Sequence, residues 1–457
     1  MNKRNHLAWI PFATFALLSA CQGPTSAHSS SSSYPTSAEE PGLRQGYVKA
    51  SGTELVDGEG NVIMLRGTNL GGYMLHESWM CLVDSPDLLY TVNTLTERFD
   101  RDAAFELLDI YQANFWTSED FDNVQALGLN CLRLPVSYLD FYDLDFDLMR
   151  SDNPTAEELL SMNMVLRLDH IQKIDAFIRE AEKRGIYIIL DLHGAYGSQN
   201  GNDHSIDSRQ HDWLWRQDDV GAAFRELTLD LWTVLAEHYR GFKNIAGYDL
   251  LNEPAGDVYD PECVTSVTGK IQWDFFDDLY HAIRAVDQEH LLIMESCWTA
   301  ENLPQPSIYG WKNVMYEFHH YDGSTDDDYQ FQTHKERIDN IVNASFGVPL
   351  YLGEFCPHCS YEAWTPILNL LNEKHVSWTT WTYRVRGTSE WGLYHIRTNN
   401  DGDPSIPVSE VVHLRRGNDS FEEIERKWGV DQRKGFSRND ALCAVIQEAA
   451  NAPISIK

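Results

Sequence analysis

The sequence predicts an α/β protein, a single (β/α)8 barrel of the TIM type with a long insertion after strand 1. Three observations carry that expectation. Short apolar runs of the kind that form parallel strands buried on both faces recur about eight times, each paired with a stretch of helical period. The alternation is strict, and eight pairs suit a closed barrel better than a doubly wound sheet. The runs also end in polar or aromatic residues, where a barrel presents its working groups.

Residues 62–70 read as the first strand, and an insertion, acidic and aromatic by turns, follows over 71–116. A helix is expected over 118–127, with Ser118 as N-cap and Gly128 as its stop, then strand two over 130–135. The helix over 166–183 ends at Gly185 and leads into strand three, 186–193. Helix 222–239 precedes strand four, 245–252, and helix 273–286 precedes strand five, 291–295. Strand six covers 314–319, helix 334–342 feeds strand seven at 349–354, and helix 364–374 feeds strand eight at 376–381. Residues beyond 408 suffice for a closing helix and a tail, and are too few for an ordinary sandwich domain. The strand ends, in order, are Asn69, Arg133, His193, Asn252 with Glu253, Glu295, His319 with Tyr321, Glu354 and Trp381. All are polar or aromatic on strands read as otherwise apolar, which packing does not explain.

The N-terminus reads as a processing segment. Lys3 and Arg4 precede an apolar run over 7–20, too short to span a bilayer as a helix. It ends Leu18-Ser19-Ala20-Cys21, which resembles the lipobox of bacterial lipoproteins and implies lipidation of Cys21. Residues 1–21 are thus expected to be a lipoprotein signal peptide, 22–45 a Ser/Pro-rich disordered tether and 46–457 the barrel domain. The expected setting is export to a bacterial cell envelope, with a membrane contact through the lipid on Cys21.

Net charge is −33, with Asp+Glu 69 against Lys+Arg 36, which disfavours nucleic acid and anionic substrates and suits a neutral one. Of 8 cysteines, those other than Cys21 are odd in number, so at least one free thiol or an intermolecular bridge is expected. Cys356-Pro357-His358-Cys359 copies a thiol-oxidoreductase motif, but no thioredoxin-like unit surrounds it. A loop disulfide or a pair of buried thiols is the better expectation.

Two stretches carry the chemistry. Residues 245–254 end Asn252-Glu253-Pro254, and residues 348–355 end Gly353-Glu354-Phe355. Two carboxyls on strand ends facing one cleft are the minimum equipment for hydrolysing a glycosidic bond. Glu253 is the expected acid/base and Glu354 the expected nucleophile of a retaining reaction, with Glu295 as the substitute should either fail. The histidines His193, His204, His211, His319, His320 and His358 match no ligand spacing, so neither a metal nor another cofactor is expected.

As a set, these residues resemble glycoside hydrolase family 5. The resemblance rests on Asn252-Glu253-Pro254, Gly353-Glu354, Arg133 in Arg-x-Pro, His193, His319-His320-Tyr321 and Trp381, and it spans about 55–383. Arg66 to Tyr73 followed by Glu77-Ser78-Trp79, and Asp191 to Gly201, look like the fungal exo-β-1,3-glucanases. The resemblance implies a retaining enzyme acting on β-glucan, with Glu77 binding a terminal glucose; the alternatives are a family 5 cellulase, mannanase or glycolipid glucosidase, or a non-catalytic glycan-binding lipoprotein. Asn252 is expected on the sugar 2-hydroxyl, Arg133 beside the nucleophile, and His319 and Tyr321 orienting it. His193 is expected on substrate, and Trp381 under the pyranose face. Trp213 and Trp215 are candidates for outer subsites, and no obligate protein partner is expected. Two departures, Tyr196 for a proline and Asn202 for an entrance phenylalanine, leave exo action and 1,3 preference open.

Overall fold

A computed structural model of the chain describes residues 44–254, 267–296, 303–417 and 419–454. Eight parallel strands close into a barrel: β1 (Arg66–Asn69), β2 (Cys131–Ser137), β3 (Tyr187–Gly194), β4 (Ile245–Asp249), β5 (Leu291–Glu295), β6 (Val314–His320), β7 (Leu350–Phe355) and β8 (Ser377–Thr380). Each pairs with the next in chain order, and β8 pairs with β1. The expected (β/α)8 architecture is present.

Both faces of the strands are buried. On β3, Ile188, Leu190 and Leu192 join the layer between strands and helices, while Tyr187 and Ile189 face the barrel interior. The interior floor is shared by Leu65, Cys131, Ile189, Ile293, Met315 and Tyr351. Val48 and Leu55 join the same cluster from an N-terminal antiparallel ribbon formed by Lys49–Ser51, Glu54–Val56 and Val62–Ile63. The expected first strand, 62–70, is therefore two pieces: its start belongs to this ribbon and its end is β1. The two pieces differ in their partners: Val62–Ile63 pairs with Leu55 and Val56 of the ribbon, whereas Arg66–Asn69, polar in sequence, pairs within the barrel.

The insertion after β1 is ordered and largely helical, with helices Leu88–Arg98 and Arg101–Phe115 capped by Asp87 and Asp100. The next helix is Ser118–Ala126, and its N-cap is Thr117 rather than Ser118: Thr117 and Asp120 form a capping box. Gly128 turns the chain out of it at φ 76, a left-handed conformation suited to glycine. Helices Leu168–Glu182, Asp219–Tyr239, Val267–Val286, Asp327–Asn343 and Tyr361–Lys374 complete the alternation.

The C-terminal part holds more than one helix and a tail. Helices Phe421–Trp428 and Asp440–Ala450 flank the strand Phe436–Arg438, which joins Arg384–Arg386 and Tyr394–Ile396 in a small sheet. Trp428 Nε1 donates to the Leu82 carbonyl at 3.1 Å, so this segment clamps the insertion.

The lipobox, Cys21 and nearly all of the tether lie outside the described residues. Arg44 already packs on the barrel, two residues before the expected start at 46: its guanidinium lies 3.2 Å from the Tyr187 ring centroid, and its Nε donates to Asn244 Oδ1 at 2.7 Å. Among the described residues no helix is long and apolar enough to cross a membrane. Cys81, Cys131, Cys356, Cys359 and Cys443 are free, while Cys263 and Cys297 lie outside the described residues. Burial pushes the Cys359 thiol up to about 12 and Cys356 well above its ordinary value, the reverse of what a reactive thiolate needs.

Candidate active site

Along the inward face of β2, β3, β5 and β6, side chains change from apolar at the floor to ionisable toward the C-terminal end. Cys131 is followed by Arg133, Ile189 by Asp191 and His193, Ile293 by Glu295, and Met315 by Glu317 and His319. The strands are thus not otherwise apolar, as their hydropathy implied. Asp191, Asp249, Glu295 and Glu317 are all buried among them.

Arg133 is the hub. Its Nη1 donates to Glu354 Oε1 at 2.7 Å, its Nε and Nη2 to Asp249 Oδ2 at 2.9 and 2.7 Å, and Nη2 also to Asn252 Oδ1 at 2.8 Å. Asp191 Oδ2 lies 3.2 Å from Nη1 and Glu317 Oε1 3.4 Å from Nε. Burial works against the cation, but the charges of Asp191, Glu317, Asp249 and Glu354 outweigh it and hold the guanidinium well above its ordinary value. One cation cannot balance so many buried carboxylates. Burial accordingly raises Asp191 to about 7, Asp249 to about 6 and Glu317 to about 7.

Glu354 reaches the cleft through an irregularity in β7. The β6–β7 register skips between Phe318 and His319, so that His319 pairs with Glu354 and Gly353 is the extra residue. A Cβ at Gly353 would lie 1.6 Å from Glu317 Oε1, so only glycine fits there. The Glu354 oxygens accept from Arg133 Nη1 and from Tyr321 OH, the latter at 2.8 Å. Both donors suit an ionised carboxylate.

Glu253 sits just past β4 with φ 44, a left-handed conformation that is costly for a residue with a Cβ. Its backbone N–H donates to Glu295 Oε2 at 2.5 Å, and its carbonyl accepts from Asn200 Nδ2 at 3.1 Å. Glu295 is therefore the support behind Glu253. The Glu253 carboxyl lies between two imidazoles: His319 Nδ1 is 2.9 Å from Oε1 and His204 Nε2 is 3.1 Å from Oε2. Burial pushes this carboxyl up, but the bonds and charges of His204 and His319 hold it well below the usual carboxylate range.

His319 also ties the two strand-end carboxyls together. Its Nδ1 is 2.9 Å from Glu253 Oε1 and 3.7 Å from Glu354 Oε2, so these oxygens are at most about 6.6 Å apart, the two legs end to end, which fits the shorter separation of retaining enzymes. His319 was expected to orient Glu354; its short bond is to Glu253 instead, and Tyr321 holds Glu354. Glu253, Glu295 and His319 also place one potential ligand atom each within 4.8 Å of one another. Both ring nitrogens of His319 face carboxylates, with Nε2 3.2 Å from Glu317 Oε1. Burial lowers this ring, but the charges of Glu295 and Glu354 and bonds to Glu253 and Glu317 raise it well above its ordinary value. A doubly protonated imidazole has no lone pair for a metal, so this donor set does not fit one.

The other expected residues gather around this core. His193 Nδ1 bonds Asp191 Oδ2 at 2.6 Å, and its ring stacks on Trp381 with centroids 5.5 Å apart and planes 12° from parallel. Asn252 is buried, and its Nδ2 makes no hydrogen bond within the described structure. Glu77 is buried too: Oε2 accepts from Trp79 Nε1 at 2.7 Å, while Oε1 has no partner there. Burial raises its carboxyl to about 8. Trp79 and Tyr321 both pack against Trp391, a residue behind the Glu354 partner Tyr321 that the sequence did not single out.

Trp215 is a packing residue, buried and donating to the Gln199 carbonyl at 2.8 Å, and Trp213 packs on His211 and Phe224. Tyr196 stacks on Tyr138 in the interior, while Asn202 is exposed at the rim. Asp249, Glu317 and the special position of His204 were also missed. For the two carboxylates a signal existed: a charge at an inward period-two position of an apolar run.

The family described as Cellulase (glycosyl hydrolase family 5) matches residues 103–387. A β-xylosidase of Phanerodontia chrysosporium is 29% identical over 77% of this chain and 73% of its own length. The glucan 1,3-β-glucosidase of Candida oleophila is 27% identical over 56% of this chain and 58% of its own. The chain thus spans a little over half the length of that relative. Among solved structures, the β-glucanase of Saccharophagus degradans in complex with cellotetraose superposes with a TM-score of 0.50 at 16% identity, over 89% of this chain and 94% of that one. The clostridial cellulose synthase subunit Z of Clostridioides difficile gives 0.51 at 16%, over 84% and 99%. At such identity these structures speak to the fold alone. The match of the family across more than half of the chain, on a closed (β/α)8 barrel, shows that this protein belongs to glycosyl hydrolase family 5 and is a glycoside hydrolase.

Proposed function

We propose that the chain is a retaining hydrolase of β-glucosidic bonds in β-glucans, with Glu354 as nucleophile and Glu253 as acid/base. The observation that carries this reading is the pair of carboxyls joined through His319, one held by Arg133 and Tyr321, the other between two imidazoles. Glu354 attacks the anomeric carbon while Glu253 protonates the leaving oxygen. Glu253 then takes a proton from water as the glycosyl-enzyme is hydrolysed. The unpartnered Asn252 Nδ2 is the donor for a sugar hydroxyl at the anomeric end, a bond that strengthens as charge develops. Glu77 Oε1 is a second buried atom without a partner, suited to the far hydroxyls of the same ring. With His193 Nδ1 engaged by Asp191, Nε2 is the atom left for substrate, and Trp381 supplies the flat surface.

The glucan reading is supported by relatives named glucan 1,3-β-glucosidase at 25–27% identity. A second reading, a β-xylosidase, is favoured by the longer match to the relative of that name, 77% of the chain against 56%. A time-resolved product profile on laminarin, pustulan, lichenan and xylo-oligosaccharides separates the two. Turnover of xylosides alone refutes the glucan reading. On either substrate Glu354→Ala abolishes turnover with the fold intact. Glu253→Ala loses roughly 10²–10⁴ in rate on unactivated substrates and recovers with azide on activated ones. Wild-type rates from both variants refute the assignment.

The Leu18-Ser19-Ala20-Cys21 stretch supports an exported enzyme, lipid-anchored at Cys21 in a bacterial envelope. Labelling with a fatty-acid probe that Cys21→Ser fails to abolish refutes this anchor.

A further inference from the structure

His204 lies in the short turn Asp203–Ser205 that follows β3, and it has no part in the mechanism above. Its side chain keeps 26% of its exposure, whereas that of His319 has none. The two rings take opposite oxygens of one carboxyl, His319 at Glu253 Oε1 and His204 at Oε2. The inner ring is locked on the far side by Glu317 and has Glu295 3.4 Å away. Only the outer ring has a route to solvent.

Resting on the acid/base reading of Glu253, we propose that His204 is the proton partner of that carboxyl: a positioning residue that stores the proton for the first step and recovers it after the second. The need is physical. A carboxylate between two imidazolium rings has lost the proton a general acid must give. His204 Nε2, 3.1 Å from Oε2, is placed to hold the displaced proton. The groups facing His204 are Glu253 beyond β4, Glu77 in the insertion after β1 and Asp203 on its own turn, with His193 of β3 within electrostatic reach. Burial lowers the ring, but the bond and charge of Glu253, then Glu77 and Asp203, raise it to about 9. Glu253 itself is faced by His204, His319 and Glu295, with Asp191 and His193 within electrostatic reach.

The steps balance. Transfer from His204 Nε2 to Glu253 Oε2 leaves a neutral ring beside a neutral carboxyl. The carboxyl proton passes to the glycosidic oxygen as that oxygen takes the electron pair of the breaking C1–O bond and Glu354 bonds C1. In the second step Glu253 removes a proton from water, whose oxygen bonds C1 and releases Glu354. The proton then returns to His204. The pair stays competent as long as it holds one proton, to a higher pH than a lone glutamate would.

The experiment compares wild type, His204→Gln and His204→Ala on dinitrophenyl and phenyl β-glycosides of the sugar the wild type accepts, across pH. On the phenyl substrate, which needs a proton, the basic limb of kcat/KM moves to lower pH by at least about one unit, because the variants lose the stored proton. The dinitrophenyl substrate needs none, and its rate stays within roughly threefold of wild type, a readout that also reports folding. An unmoved basic limb, or equal losses on both substrates in both variants, overturns the proposal. Glu253→Ala run in parallel separates the two levels. If it hydrolyses the phenyl glycoside at the wild-type rate, the acid/base reading fails; if it does not and the His204 limb is unmoved, only the role of His204 fails.

Discussion

Gly353→Ala tests how tightly the carboxyl layer controls the chemistry. The added Cβ would lie 1.6 Å from Glu317 Oε1, 2.6 Å from its Cδ and 3.0 Å from His319 Nε2. Ordinary contact is about 3.5 Å, so the Glu317 carboxyl must retreat by roughly 2 Å. It cannot do so without loosening its contacts to His319 Nε2, at 3.2 Å, and Arg133 Nε, at 3.4 Å. Overpacking of this kind costs about 1–3 kcal/mol. At about 2 cal/mol/K of unfolding entropy per residue, over a domain of roughly 400 residues, that lowers Tm by only about 1–4 °C. Activity should suffer more. His319 positions Glu253, and a displacement near 1 Å at a reacting group costs about 10² in rate. The expected result is kcat/KM on an unactivated glycoside reduced by about 10² with a modest calorimetric loss. Glu317→Ala removes the obstructing carboxyl, so the double variant should show a coupling energy of at least about 1 kcal/mol with Gly353→Ala. Wild-type rates and Tm in Gly353→Ala, or strict additivity in the cycle, refute the reasoning.

Other perturbations follow from the same geometry. Arg133→Lys keeps a charge but loses the fork that reaches Glu354, Asp249 and Asn252 together; a loss of about 3–5 kcal/mol, read by denaturant unfolding, and a collapse of kcat are expected. Asp191 and Glu317, raised to about 7 from ordinary values of 3.8 and 4.5, bind their protons more tightly folded than unfolded. Folding therefore takes up protons, and Tm falls as pH rises from the unfolded values through 7; Glu317→Gln should flatten that slope. Glu253 acts in the opposite sense. Held low by His204 and His319, it stabilises the fold above its unfolded pKa, and that contribution is lost as pH falls. A Tm that climbs steadily from pH 6 to 8 would contradict the buried-carboxyl account.

The strands, most of the helices and the two strand-end glutamates were legible in the sequence because each is written locally. An apolar run of strand length declares itself, and Asn252-Glu253-Pro254 and Gly353-Glu354 mark where two such runs stop. Closure of eight alternating pairs then puts those stops at one end of the barrel. Other features had no local signature. Residues 62–70 read as one strand because what separates Val62–Ile63 from Arg66–Asn69 is pairing, the first with the N-terminal ribbon and the second with β2 and β8. Helix Phe421–Trp428 and the strand Phe436–Arg438 are stabilised by a distant insertion and a distant sheet, which no window around them contains.

Sequence by itself determined which residues would stand at the barrel's C-terminal rim, since alternation and length fix where strands end. Tertiary structure alone decided their states. Arg133 serves four carboxylates drawn from four different strands, and His319 bridges the ends of β4 and β7, so their charges depend on contacts across the barrel. Protonation is a property of such a cluster, set by burial and by partners far apart in the chain.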